Sequence, residues 1–299
     1  MDLTAFDGLT NEELRAKNLA ESSRVLLLRH GKSQSNQEND DLLASEHTDE
    51  DVKALTTKLD LIDCSLSEKG FAQCEETQPL ANLLNVKHVI VSPLRRALET
   101  AHNVFKNHPN FENIKFTLLP VMKECIVSTD DLPGNILKRV KDYTEIFANF
   151  DTSELEKYED PYNFFLYDID MDWARQVLAE ISLKEEKEAE GLHPEVVNLL
   201  TSRFPLYLES DKSLLKRVKK AKEFVKEFIE RNTLEGDEKV VLVGHCNFFN
   251  FWTNNWAIDP LDDDKQCNEG EAIKVPEDAY YLENCEFYPD DSGFPRTDQ

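Results

Sequence analysis

The chain has 299 residues, 40% of them hydrophobic, which suits one large folded domain or two small ones and is too apolar for a disordered chain. A net charge of −25 argues against nucleic acid or an anionic membrane as partner, and leaves any anionic ligand to be gathered by a local basic cluster. No apolar run approaches the ~20 residues of a membrane span, and the acidic N-terminus lacks a basic-then-apolar leader, so the expectation is a soluble, cytoplasmic protein. The six cysteines form no C-x-x-C pair and read as reduced thiols, not as a zinc ribbon.

In chain order, Thr10 caps a leading helix with acidic residues in its first turn. Val25-Leu26-Leu27-Leu28 is an apolar run of strand length, and it stops abruptly at Arg29-His30-Gly31. Placing Arg and His at the carboxyl end of a buried strand is costly unless a site lies there, and in open α/β sheets ligands bind at that end. Ser33 and Asn36 add hydroxyl and amide donors, giving a cationic pocket suited to phosphate. The stretch 38–60 is acidic and reads as a loop with one short helix. Ser65 or Ser67 then caps a helix running to about residue 84, with Pro79 as a kink.

Residues 87–91 form a second strand, and Ser92 caps the helix after it, with Arg95 and Arg96 in the first turn. A third strand at 116–119 leads to Glu124. Residues 126–208 are rich in acidic and aromatic side chains, with helix-like segments at 135–147, 171–190 and 193–204. They read as a helical cap inserted over the pocket of a single domain, not as a second domain. The segment 212–231 is an amphipathic helix whose lysines form a solvated face. Residues 239–243 are a fourth strand ending at Gly244-His245, followed by an aromatic helix over 247–256. An acidic loop over 259–277 and an edge strand over 281–288 complete the chain.

The string Arg29-His30-Gly31-x-Ser33-x-x-Asn36 resembles the signature of the histidine phosphatase superfamily, the group that contains the cofactor-dependent phosphoglycerate mutases. Further segments fit the same family. Asp63-x-x-Leu66-Ser67-x-x-Gly70-x-x-Gln73 resembles its capped helix, and Ser92-x-Leu94-x-Arg96-Ala97-x-x-Thr100-Ala101 its arginine motif. Gly244-His245 stands where the family carries a second histidine.

The resemblance implies a three-layer α/β/α sandwich with a mostly parallel central sheet. It makes His30 the nucleophile that carries the phosphoryl group, and gives the phosphate to Arg29, Arg96 and His245, with Ser33 and Asn36 beside them. It makes Glu124 the proton donor; Glu112, Asp130 and Asp131 are rivals for that place. Lys32 stands where mutases usually have Glu, and Glu124 is followed by Cys-Ile-Val-Ser-Thr-Asp-Asp instead of an Arg-Tyr-Gly-like segment. Both departures favour a phosphatase acting on a small phosphorylated substrate. A mutase and a non-catalytic phosphate-binding scaffold are the alternatives. With no Asp cluster of the magnesium type and no G-x-x-x-x-G-K-[ST], neither metal nor cofactor is expected.

Overall fold

The apolar runs become the centre of a six-stranded sheet. In the computed structural model, which describes residues 9–159, 161, 164–167, 209, 211–253 and 281–290, β1 (Val25–Arg29), β2 (Val86–Val91), β3 (Lys115–Leu118) and β5 (Lys239–Gly244) run parallel. Such strands are covered on both faces, which is why they read as continuous apolar runs and not as an alternation. The order is β4-β3-β2-β5-β1-β6. β4 (Phe150–Asp151) extends the parallel pairing at one edge, and β6 (Phe287–Pro289) lies antiparallel to β1 at the other. The sheet is therefore mixed and mostly parallel, as expected from the sequence.

Two apolar clusters flank the sheet, because alternate side chains of each strand point to opposite faces. Leu26, Leu28, Val89, Val91 and Phe116 pack with α4 (Glu68–Ala81) and α5 (Arg95–Phe105). Val25, Leu27, Ile90, Val240 and Leu242 pack with two further helices, Asp211–Arg231 and Cys246–Thr253. A capping box between Thr10 and Glu13 opens α1 (Asn11–Ser22), whose Ala16 and Leu19 join the first cluster. Lys239 ties the end of that helix to the sheet by donating to the carbonyls of Ala20 and Ser23.

Several local expectations need correction. The stretch 38–60 is not mostly loop: it carries α2 (Gln34–Leu43) and α3 (Asp49–Thr56), the second opened by a capping box between Thr48 and Asp51. Ser67, not Ser65, caps α4; the Ser65 hydroxyl instead donates to Glu99. Pro79 lies inside α4 without ending it. Ser92 does not cap α5, whose N-cap is Leu94; the first amide of that helix, at Arg95, donates to Asp63.

Within 126–208, the described part holds α6 (Ile136–Thr144), the edge strand β4 and the short α7 (Phe164–Tyr167). Phe147, Phe164 and Phe165 belong to the first core cluster. The helices expected over 171–190 and 193–204, the end of the aromatic helix beyond 253 and the acidic loop over 259–277 lie outside the described residues. The two helices of the second face are α8 (Asp211–Arg231) and α9 (Cys246–Thr253). Among the described residues no helix is long and apolar enough to cross a membrane.

Candidate active site

The carboxyl ends of β1, β2 and β5 converge. His30 follows β1, and its amide donates to the Gly244 carbonyl of β5 at 2.9 Å. His245 follows β5 directly, so register alone brings the two histidines side by side: their ring centroids are 5.1 Å apart. Arg96 enters from the first turn of α5, just beyond β2, and its Nε lies 3.3 Å from His30 Nε2. All three side chains are buried.

The imidazole of His30 is held in one orientation. Its Nδ1 lies 2.7 Å from the Gly31 carbonyl. A carbonyl oxygen only accepts, so Nδ1 carries the proton and Nε2 keeps its lone pair. Burial, reinforced by the Arg96 and Arg29 guanidiniums, holds this group well below its usual 6.5. His30 is thus a neutral imidazole whose unprotonated Nε2 accepts from the Arg96 guanidinium.

The loop that carries it is packed backbone to backbone. A Cβ on Gly31 would stand 2.8 Å from the Gly70 carbonyl, and one on Gly70 would stand 2.1 Å from that of Lys32. Glycine is needed at both places for this approach. Thr100 accepts from the Gly31 amide at 2.9 Å, which ties the loop to α5.

His245 is arranged differently. Its Nε2 lies 2.6 Å from the Ser92 hydroxyl, which itself accepts weakly from the Leu94 amide at 3.4 Å. A hydroxyl both donates and accepts, so this bond forms with the ring proton on either nitrogen, and a proton on Nδ1 would be offered away from Ser92. That nitrogen is buried and has no hydrogen-bond partner among the described residues. Burial and the nearby Arg96 hold this imidazole too well below 6.5.

Arg96 is engaged on its far side by a turn that sequence reading assigned no such part. Its Nη2 donates to Asp131 Oδ1 at 2.8 Å, and its Nη1 donates to the Asp130 carbonyl. The Asp130 carboxylate lies 3.7 Å from Nη1. Burial and the neighbouring Asp130 push the Asp131 carboxyl up to about 8, although Arg96 pulls it down. Asp130 and Asp131, weighed above as rival proton donors, sit as holders of the arginine.

Glu124 lies just past the 3-10 turn Pro120–Met122, in chain without regular structure. Its carboxylate accepts from the amides of Asn247 (3.0 Å) and Phe248 (3.0 Å) at the start of α9, and from Cys125 (2.8 Å). Burial nevertheless raises this carboxyl above its usual 4.5; the Cys125 amide and Arg96 oppose the rise. His245, the residue before α9, places Glu124 and the second histidine at one helix end.

Arg29 is half-buried, and its Nη1 donates to the Leu282 carbonyl at 2.8 Å. Asn284 binds the His30 carbonyl from the same C-terminal segment at 2.7 Å. Ser33 and Asn36 form a capping box at the start of α2, where each side chain accepts from the other's amide. Their capping oxygens are therefore committed to the helix end. Lys32, at the position that distinguishes mutases, is buried and paired with Asp40.

A neutral imidazole, a second histidine and a buried guanidinium thus converge at the carboxyl end of parallel strands. Residues 25–160 match the model of the histidine phosphatase superfamily (branch 1), the superfamily that the sequence motifs resemble. No curated protein matches the chain. Three similar solved structures have low identity. The ecdysone phosphate phosphatase of Bombix mori, in complex with tungstate, is 15% identical over 88% of this chain and 86% of its own, with a TM-score of 0.46. The phosphoglycerate mutase of Bacillus anthracis is 17% identical over 78% and 79%, with a TM-score of 0.39. A putative alpha-ribazole-5'-P phosphatase of Escherichia coli is 16% identical over 77% and 78%, with a TM-score of 0.37.

Proposed function

We propose that the protein is a phosphomonoesterase that works through a phosphohistidine on His30. The observation that carries this reading is the bond from His30 Nδ1 to the Gly31 carbonyl, which fixes the tautomer and leaves Nε2 as a lone pair in a buried, cationic setting. A neutral imidazole so oriented is ready to attack phosphorus at neutral pH.

In the first step His30 Nε2 bonds to phosphorus as the P–O bond to the alcohol breaks. The leaving oxygen takes its proton from Glu124, whose raised carboxyl keeps that proton to a higher pH than an ordinary glutamic acid. Arg29, Arg96 and the Nδ1–H of His245 hold the non-bridging oxygens and meet the charge that develops on them. In the second step a water attacks phosphorus, Glu124 takes its proton, and the bond to His30 breaks to release phosphate. The nucleophile and the acid are side chains throughout, so the scheme runs without a metal-bound water. The pairing of Lys32 with Asp40 and the carboxylates held against Arg96 favour hydrolysis over a mutase reaction, which must keep a second anionic group in the site.

The test is phosphate release from a panel of phosphomonoesters with EDTA present, for the wild type and His30→Ala. Turnover that survives EDTA and vanishes in His30→Ala, with an acid-labile phosphoenzyme in the wild type only, is the expected result. A folded wild type that releases phosphate from no ester would sink the proposal.

A further inference from the structure

Behind Glu124 lies a buried charge cluster that the two-step scheme does not use. Arg217 faces inward from α8 and is 1% exposed. Glu209 grips its guanidinium at two points, Nε to Oε1 at 2.5 Å and Nη2 to Oε2 at 2.6 Å. The remaining donors point at the chain that carries Glu124. Nη1 donates to the carbonyls of Val121 (2.7 Å) and Lys123 (2.8 Å), and Nη2 to that of Glu124 itself (3.3 Å). The guanidinium also lies over the ring of Phe248, 5.5 Å from its centroid, and the amide of Phe248 donates to the Glu124 carboxylate. Arg217 therefore touches both the backbone that delivers Glu124 and the helix end that receives its side chain.

Buried ion pairs of this kind are weak evidence of a stabilising role, because apolar residues of equal volume commonly serve as well or better. The fork geometry offers a more specific account. Residues 123–125 have no ladder or helix to fix them. Only a guanidinium presents five rigid donors, enough to bind a carboxylate at two points and three carbonyls at once; an ammonium cannot span them. Misplacing a reacting group by ~1 Å can cost on the order of 10²-fold in rate.

We infer that the Glu209–Arg217 pair is the positioning device for Glu124, and that its effect falls on substrates whose leaving group needs a proton. This rests on the proposed role of Glu124 as the acid. Proton donation matters for an alkyl ester, whose alkoxide leaves poorly, and matters little for p-nitrophenyl phosphate, whose phenolate leaves unaided. A merely structural pair would lower both alike.

The experiment measures kcat/KM, which reports the step up to leaving-group departure, for β-glycerol phosphate and p-nitrophenyl phosphate. It compares the wild type, Glu124→Gln, Arg217→Lys and Glu209→Gln, with folded fraction set by near-ultraviolet circular dichroism. The alkyl-to-aryl ratio of kcat/KM should fall about 10²-fold or more in Glu124→Gln. It should fall roughly tenfold in Arg217→Lys and less in Glu209→Gln, where an amide oxygen still meets the guanidinium. An unchanged ratio in Arg217→Lys and Glu209→Gln beside a lowered one in Glu124→Gln overturns the inference and leaves the acid in place. An unchanged ratio in Glu124→Gln overturns both. Should Arg217→Lys fail to fold, Glu209→Gln decides alone.

Discussion

Two buried arginines flank the site, each bound by carboxylates, and they are used in opposite ways. Arg217 has a partner for each of its five N–H donors: two go to Glu209 and three to backbone carbonyls. Arg96 has three partners among the described residues: the Asp130 carbonyl, Asp131 and His30 Nε2. Two of its N–H donors make no hydrogen bond among the described residues, with the Asp130 carboxylate 3.7 Å from Nη1, and the third partner is the atom proposed to attack phosphorus. A fully committed guanidinium holds a shape, whereas one with donors in hand can take a ligand. Burial and ion pairing are shared by the two; the unspent donors set Arg96 apart.

The contrast can be broken in order of expected size. Arg217→Met takes from buried Glu209 its two-point partner, leaving it the Lys123 ammonium at 3.6 Å, and strips three backbone carbonyls of their donor, so it should cost about 3–5 kcal/mol of stability by urea denaturation. A loss below about 1 kcal/mol would mean that the cluster is replaceable by apolar packing. Arg96→Lys keeps one charge but forfeits the fork. It should lower kcat/KM by about 10²- to 10³-fold while shifting the urea midpoint much less. Equal damage to stability and to rate would erase the distinction between the two arginines.

A smaller effect is expected at the carboxylate behind Arg96. Asp131→Asn should lower kcat/KM about tenfold, since the guanidinium keeps an acceptor but the Val127 and Ser128 amides then face a side-chain NH2 in place of Oδ2. Its pH signature has a definite sign. Asp131 is pushed up to about 8 in the folded chain against an ordinary 3.8, so the folded state holds a proton that the unfolded state has released. Stability linked to this group is present below about pH 4 and is lost as pH rises through 8. That part of the slope should disappear in Asp131→Asn.

His88 has the opposite sense. Burial lowers it from 6.5 to about 4, so stability linked to it is lost as pH falls through that window. His88→Gln should flatten the acid side of the stability curve, and an unchanged acid limb would remove His88 from the account.

Much of the site was legible because strand ends leave a strong mark. An apolar run that terminates in Arg29-His30, and another in Gly244-His245, places charge where only a ligand would repay it, and β1 does lie beside β5. The Ser33 and Asn36 side chains were readable as neighbours of that loop, but not as each other's caps. The holders of Arg96 and Glu124 were harder to see. Asp131 meets Arg96 from 35 positions away and Arg217 meets Glu124 from 93, distances over which no local periodicity speaks.

One signal for Arg217 was nonetheless present. It falls among Leu214, Val218 and Ala221 on the apolar stripe of α8, where the lysines of that helix do not, and a charged residue in such a stripe calls for a buried partner. The stretch 38–60 misled for a simpler reason: its helices are acidic and bury no residue in the core, so they carry little of the periodicity by which helices are recognised.

The outer strands carry a consequence for how the molecule meets others of its kind. The four parallel strands are bordered by β4, two residues long, and β6, three residues long. β6 closes on Pro289, which has no amide to offer a further strand. Beside β4, Lys115 and Asp151 form an ion pair 3.3 Å apart. Stubby, proline-ended or charged borders are poor templates for strand addition. Among the described residues, the rim of this apolar sheet thus offers a second chain few backbone groups with which to pair.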